Sequence, residues 1–460
     1  MKILLVAYDN DSYIHFFPMG LSYIASVLRD AGHDVLIYNQ DMYHYPDEHL
    51  TGFLSDNFFD MVGLGFCAGY YQYKKILKVS EAINKSENRP FFVMGGHGPS
   101  PEPAFFLKRM GADAIVIGEG EVSIVNLANT LEVDGDLSSV KGIAYIDNGE
   151  VKINEHQPLI KDIDTIPFPA WDLFPIDYYS LFRNPHMKNS DRVMPVLSSR
   201  GCSFRCNFCY RMDKGIRLRR PECIVDEMSQ LKDKYRITYI DFMDELFMVS
   251  ERRTKEICKA IIDSGLDMRW LCSGRLNYAK HDVIRIMKKA GCVFINYGIE
   301  CMNDGVLKTM HKNLSVKQIE NGIKVTLEEG ISPGFNIIFG NIGENRDTLM
   351  KGVDFLLKYD DHSQLRTIRP VTPYPGSELY YYAIKNNILD DVEDFYDNKH
   401  KNSDLMSVNF TDLLDDDYYK ALYEANILLL KKYYDDKFKQ NCEVLRKMYF
   451  EKDASFRGFR

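Results

Sequence analysis

Apolar, strand-like runs alternate with helical stretches along most of this chain, in two series, and that alternation restricts the fold more than any other feature. The first series has apolar runs at 3–8, 35–38, 61–65, 91–94 and 114–117, with helices between them, clearest at 18–31 and 71–83. Gly32 follows the first helix, where glycine tolerates a left-handed cap. Continuous apolar strands separated by helices predict a parallel sheet covered on both faces, a doubly wound α/β domain. The second series has strands at 192–198, 238–243, 268–273, 293–298, 334–339 and 365–371. Its helices lie near 224–234, 251–264, 280–290, 316–329 and 348–358. Six β/α units predict a partial (β/α)6 barrel. In both architectures ligands bind beyond the carboxyl ends of the strands.

Between the two series, residues 141–145 and 151–154 flank Asn148-Gly149, a hairpin signature. The stretch Ile166-Pro167-Phe168-Pro169-Ala170-Trp171-Asp172 reads as an ordered proline-rich crossing. Residues after about 390 are helical and rich in Tyr, Asp and Lys, a lid or flank. The expected domains are therefore 1–140, a hairpin and linker at 141–190, the partial barrel at 191–390 and a helical region at 391–460.

The loop after the first strand of the second series contains Gly201-Cys202-Ser203-Phe204-Arg205-Cys206-Asn207-Phe208-Cys209-Tyr210. Three thiolates spaced CxxxCxxC in a short loop can converge on three corners of an iron–sulfur cube, since soft sulfur ligands select such clusters. No fourth cysteine lies nearby, which would leave one iron open. A structural zinc site is the alternative on spacing alone, although it normally uses two separated ligand pairs. The other seven cysteines (Cys67, Cys223, Cys258, Cys272, Cys292, Cys301 and Cys442) read as packing residues, because free cysteine behaves as a small buried hydrophobe.

With 460 residues, 45% apolar and 27% charged, the chain can bury the cores of two or three domains. The net charge of -9 argues against nucleic acid as a partner. The local run Arg217-Leu218-Arg219-Arg220 reads as a solvated approach to a helix, or alternatively as an anion contact. No run approaches the ~18 apolar residues of a membrane span, and Asp9-Asn10-Asp11 interrupts the amino terminus too soon for a signal peptide. The expected location is the cytoplasm, where reduced thiols and a cluster are the rule.

Strand ends carry the remaining candidates. Gly95-Gly96-His97-Gly98 follows the fourth run and Gly118-Glu119-Gly120-Glu121 the fifth, and glycines there let backbone approach a bulky ligand. In the second series the ends are Asp241-Phe242-Met243-Asp244-Glu245, Ser273-Gly274-Arg275, Tyr297-Gly298-Ile299-Glu300 and Ile338-Phe339-Gly340-Asn341-Ile342-Gly343-Glu344. Taken singly, Asp244 and Glu300 would read as helix caps. Tyr70, Tyr71 and Tyr73 read as a helix start that is part core and part surface.

These motifs together resemble the radical S-adenosylmethionine (SAM) superfamily, in its class with an amino-terminal cobalamin (B12)-binding-like domain. The resemblance covers roughly residues 1–390. It implies that Cys202, Cys206 and Cys209 hold a [4Fe-4S] cluster whose open iron is chelated by SAM. It also implies SAM contacts from Tyr210, Asp244, Glu245, Ser273, Arg275, Glu300 and Ile338. Arg275 suits the SAM carboxylate, since guanidinium pairs with carboxylate in a planar, bidentate way. Gly95, Gly96, His97, Gly118, Glu119 and Gly120 are the implied cobalamin contacts. The DxHxxG motif that ligates cobalt in other corrinoid proteins is absent, since Asp11, His15 and Gly20 are too widely spaced, but members of this class commonly lack it.

The implied activity is reductive cleavage of SAM to a 5′-deoxyadenosyl radical that abstracts hydrogen from an unactivated carbon of a small-molecule substrate. Cobalamin-dependent methyl transfer is the leading outcome. Dehydration, epimerisation, rearrangement or ring formation without methyl transfer is the alternative. An electron donor such as flavodoxin or ferredoxin is the implied partner, with neither nucleic acid nor membrane. Transfer-RNA methylthiolation fits poorly, because its enzymes resemble a design with three further amino-terminal cysteines and a basic tail. A non-catalytic cobalamin or light sensor would tolerate degraded SAM motifs, yet those between Cys202 and Glu344 are intact. No catalytic acid, base or hydrogen donor can be named from the sequence.

Overall fold

The computed structural model describes residues 1–11, 15–67, 69–212, 214–402, 405–406, 408–453 and 455. Strands β1 (Lys2–Ala7), β2 (Asp34–Asn39), β3 (Met61–Gly65), β4 (Phe91–Gly95) and β5 (Ala114–Val116) are parallel, in the order β2-β1-β3-β4-β5. Alternate residues serve two cores. Leu4, Val6, Val62 and Leu64 enter one, while Ile3, Leu5, Met61 and Val93 enter the other. Side chains of a strand point alternately to opposite faces, so a sheet covered on both sides reads as unbroken apolar runs. The order turns between β1 and β3, which opens a crevice at their carboxyl ends.

The Asn148-Gly149 hairpin, expected in the linker, completes this sheet. Strand β6 (Ile143–Asp147) pairs antiparallel with β5, and β7 (Glu150–Ile153) pairs with β6. Three-residue β5 would otherwise be an open edge, and Ile143 and Ala144 cover it with fully buried side chains.

The second domain is a six-stranded parallel sheet, as its six β/α units predict. Its strands are β8 (Val193–Val196), β11 (Tyr239–Phe242), β12 (Arg269–Gly274), β13 (Cys292–Glu300), β14 (Ser332–Phe339) and β15 (Arg369–Pro370), in the order β15-β14-β13-β12-β11-β8. Two strands fall short of expectation. At 365–371 two residues pair, and Pro370 has no N–H to extend the ladder. At 192–198 the strand stops at Val196, with Pro195 tolerated because β8 is an edge. The chain then turns into a hairpin that the sequence reading took for a loop. Its strands β9 (Ser199–Cys202) and β10 (Gly215–Leu218) pair antiparallel beside the sheet.

The carboxyl-terminal region divides. Leu379, Tyr380, Leu389, Phe395 and Tyr396 return to the first domain, where they share a core with Phe66, Tyr73 and Phe106. The long helix Asp415–Phe450 instead packs beside Arg346–Tyr359 on the barrel, burying Tyr418, Leu422 and Leu429. Segments on both sides of residue 410 thus tie the domains together.

Candidate functional site

The cysteine hairpin stands where the two sets of strand ends meet. Asn207, inside the motif, fastens it. Its amide exchanges two hydrogen bonds with the amide of Asn341 after β14, at 3.1 and 2.9 Å. Its backbone N–H donates to Met310 O (3.0 Å) and its carbonyl accepts from Leu379 N (2.8 Å). Cys206 and Cys209 hydrogen-bond thiol to thiol, which lowers the Cys206 pKa to about 6, with help from Lys312 and Arg275. The Cys209 thiol is pushed up by the same bond and by burial. No group of three or more His, Cys, Asp or Glu among the described residues surrounds one point as a single ion would require.

Two cations flank the thiols. Arg275 is buried, its guanidinium 3.5 Å above the Phe204 ring, and it donates to the carbonyls of Lys312 and Asn313. Lys312 is paired at 2.7 Å with Glu300, both nearly buried. Glu300 lies at a bulge between β13 and β14 with φ +69°, an uncommon conformation outside glycine. A Cβ at Gly298 would come 2.4 Å from the Glu300 carboxylate, so glycine there makes room for the pair. Soft thiolates beside a guanidinium and an ammonium suit an anionic iron–sulfur cluster.

Asp244 is neither exposed nor a helix cap. Its Oδ1 accepts from Ser198 N (2.9 Å), Ser198 Oγ (3.0 Å) and Ser199 Oγ (2.7 Å), which bends the chain from β8 into β9. The following helix is capped by Ser250, and the helix after Glu300 by Asn303. Burial raises the Asp244 pKa to about 6. Its Oδ2 and Arg275 Nε are buried with no partner among the described residues, polar atoms that a zwitterionic ligand such as SAM could satisfy. Glu245 faces the cavity described next and acts electrostatically on Cys202. Ser273 and Ile338 lie half-buried on β12 and β14. Tyr210 packs over Gly376, where a Cβ would clash at 2.4 Å, and meets the His97 ring edge-on at 6.0 Å.

A cavity of about 600 Å³ separates the domains. The first domain contributes the loops after β1, β3, β4 and β5, including Gly95, Gly96, His97, Gly118, Glu119 and Gly120. The barrel contributes Leu197, Gly201, Met243 and Glu245. A Cβ at Gly96 would sit 2.5 Å from Phe66 O, and one at Gly65 would meet nothing, so the loops are tight against each other yet leave room over β3. The room, its apolar walls and its place at the crevice fit a bulky flat cofactor. Cys67, expected in a core, faces this cavity, and enclosure there raises its pKa. Cys442 is exposed and Cys223 half-exposed, whereas Cys258, Cys272, Cys292 and Cys301 are buried as expected. Tyr73 is core and Tyr71 exposed.

The basic run after the motif is solvated at Arg220, which is exposed and paired with Asp164, while its other two arginines are held by buried carboxylates. Arg217 is bound to Glu119 at 2.6 Å, and Arg219 to Glu227 at 2.5 Å. Glu119 also holds Arg200 at 3.0 Å, and Arg200 reaches Glu121 at 2.5 Å. Burial opposes the Arg200 charge, but the two carboxylates outweigh it and hold its pKa above the usual range. Burial likewise works to raise the pKa of Glu119, but Arg217 and Arg200 hold it below normal. This quartet joins the loop after β5 to both strands of the hairpin carrying Cys202. The Glu119 carboxylate is engaged between the domains, and the residue also lines the cavity. Arg200, Arg217, Glu121, Asn207 and Lys312 were not singled out as site residues in the sequence. Asn207 and Arg200 were locatable by their place in and beside the motif, while Lys312 carries no local signal.

Residues 196–356 match the family model described as Radical SAM superfamily, and residues 10–128 the model described as B12 binding domain. A protein of Pyrococcus horikoshii named an uncharacterized methyltransferase is 32% identical over 401 residues, covering 85% of this chain and 84% of its own. An anaerobic magnesium-protoporphyrin IX monomethyl ester cyclase of Cereibacter sphaeroides is 26% identical over 390 residues. That match covers 82% of this chain but 61% of the relative. The methyltransferase TsrM of Kitasatospora setae, solved with cobalamin and a [4Fe-4S] cluster, shares the fold with a TM-score of 0.68 at 17% identity. The match spans 84% of this chain and 75% of TsrM. The chain therefore belongs to the radical SAM superfamily, in the class with a B12-binding domain, and is an enzyme of that class with a [4Fe-4S] cluster, SAM and cobalamin as cofactors.

Proposed function

We propose that this enzyme methylates a carbon of a small molecule, with the substrate reached from the space between its two domains. The observation that carries this reading is the position of the cavity, which has the glycine-rich loops of the B12-binding domain on one wall and the cysteine hairpin on the other. When bound, the cofactors supply SAM cleavage, a substrate radical and a methyl group to quench it. Cys202, Cys206 and Cys209 would hold the cluster. Arg275 and Lys312 balance thiolate charge, and Arg275 with Asp244 is placed to orient the carboxylate and ammonium of SAM. Asn207 and the Glu119–Arg200 pairing keep the hairpin in register with both domains. The apolar walls exclude water, which would otherwise compete for reactive species. The electrons come from a small reduced protein such as flavodoxin or ferredoxin, and the cytoplasm is the compartment that keeps such a site reduced.

The test uses anaerobically reconstituted protein with hydroxocobalamin, a chemical reductant and SAM labelled at its methyl group. Label appearing in cobalamin together with S-adenosylhomocysteine is the expected result. Formation of 5′-deoxyadenosine with no S-adenosylhomocysteine would overturn methyl transfer and favour a radical reaction of the ring-forming kind that the cyclase relative's name describes. Alanine at Cys202, Cys206 and Cys209 together should abolish iron binding and SAM cleavage.

A further inference from the structure

The long helix Asp415–Phe450 has two apolar faces. One, through Tyr418, Leu422 and Leu429, is buried on the barrel. The other lies on the opposite side at helical spacing and is uncovered, with Tyr423 at 68% exposure, Tyr434 at 60%, Phe438 at 70% and Tyr449 at 61%. Ile427 and Leu445 fall on the same stripe. Exposed apolar stripes of this length mark interaction surfaces.

The order of the residues indicates the partner. Tyr423 and Tyr449, Ile427 and Leu445, and Tyr434 and Phe438 lie at equal distances on either side of residue 436. A stripe that reads the same in both directions matches its own copy when the copy runs antiparallel, which is the self-complementarity that a two-fold interface requires. Antiparallel pairing of the two copies also opposes their helix dipoles. Four partly exposed aromatic rings and two aliphatic side chains offer on the order of 600 Å² per copy. A specific interface takes roughly 800 Å² per partner.

We propose that two copies of this chain associate through an antiparallel pairing of this helix about a two-fold axis near residue 436. The pairing is independent of the chemistry assigned to the site. Sedimentation velocity of the full chain at micromolar concentration should give twice the chain mass, and Phe438→Glu should halve it while leaving the thermal transition and iron content unchanged. Cys442 adds a second readout: in the antiparallel pairing it lies about 18 Å along the helix from Cys442 of the other copy at 1.5 Å per residue, so mild oxidation should leave the two copies uncross-linked. A monomeric wild type overturns the proposal, including one that instead sediments with phosphatidylglycerol vesicles. So does a dimer that survives Phe438→Glu, or a 442–442 cross-link.

Discussion

Replacing Glu119 by glutamine tests whether the ion-pair quartet holds the two domains in register. Glutamine preserves volume but removes the charge that faces Arg200 at 3.0 Å and Arg217 at 2.6 Å. All three side chains are mostly buried, with exposures of 7% for Glu119, 17% for Arg200 and 15% for Arg217. Removing one partner of a buried ion pair costs about 3–5 kcal/mol, because a charge is left uncompensated. Here Arg200 keeps Glu121 and Arg217 keeps the Ile160 carbonyl, at 2.5 and 2.9 Å. The loss should therefore fall at or below the lower end, about 2–3 kcal/mol, which lowers Tm by roughly 4–12 °C for a domain of 150–250 residues. Unfolding is followed by denaturant and by heat in the iron-free protein, together with Arg200→Gln and the double variant. A coupling energy above about 1 kcal/mol is expected for residues in contact. The pH dependence has a definite sign. The folded pKa of Glu119 lies below its ordinary value of 4.5, so its contribution is present above that value and lost as pH falls through the lower folded one. The glutamine variant should lack that loss. A variant that melts with the wild type and shows no coupling to Arg200 would refute the clamp.

Two further outcomes follow from buried polar groups. Asn207→Ala strands the fully buried amide of Asn341, at a cost of about 1–3 kcal/mol. It should reduce iron and sulfide retained per chain after reconstitution, and unchanged retention with unchanged Tm would show that the amide pair does not hold the hairpin. Glu344 is buried and accepts from Gly340 N and Asn341 N at 2.8 and 2.9 Å, with burial raising its pKa to about 7. The folded state then holds a proton that the unfolded state releases between about pH 4.5 and 7, so stability falls as pH rises through that window. Glu344→Gln should flatten that fall in the iron-free protein, and an identical pH profile would sink the assignment.

The elements were legible where their signal was local. The helix expected at 251–264 is Glu251–Asp263, and the strand expected at 61–65 is Met61–Gly65. Apolar periodicity and caps such as Ser250 are written within a few residues of what they control. Signals that needed a distant partner were misread. The 143–153 hairpin was visible as a hairpin, but its docking on β5 depends on that strand's exposed edge. Residues after about 390 were visible as helical, but the return of 379–396 to the first domain depends on a core built by Phe66, Tyr73 and Phe106.

The sequence by itself determined the three thiols, the two α/β series and the glycine-rich strand ends, because spacing within one loop or strand is enough to specify them. The tertiary structure alone decided what the charged residues do. Arg200 and Glu119 are 81 positions apart, and Lys312 sits 12 beyond Glu300. Nothing local distinguishes a solvated charge from a buried ion pair, since the difference is made by the surroundings that remove water and supply the partner. Arg217 of the basic run and the acid at 119 thus form part of the joint between the domains, at the edge of the cavity.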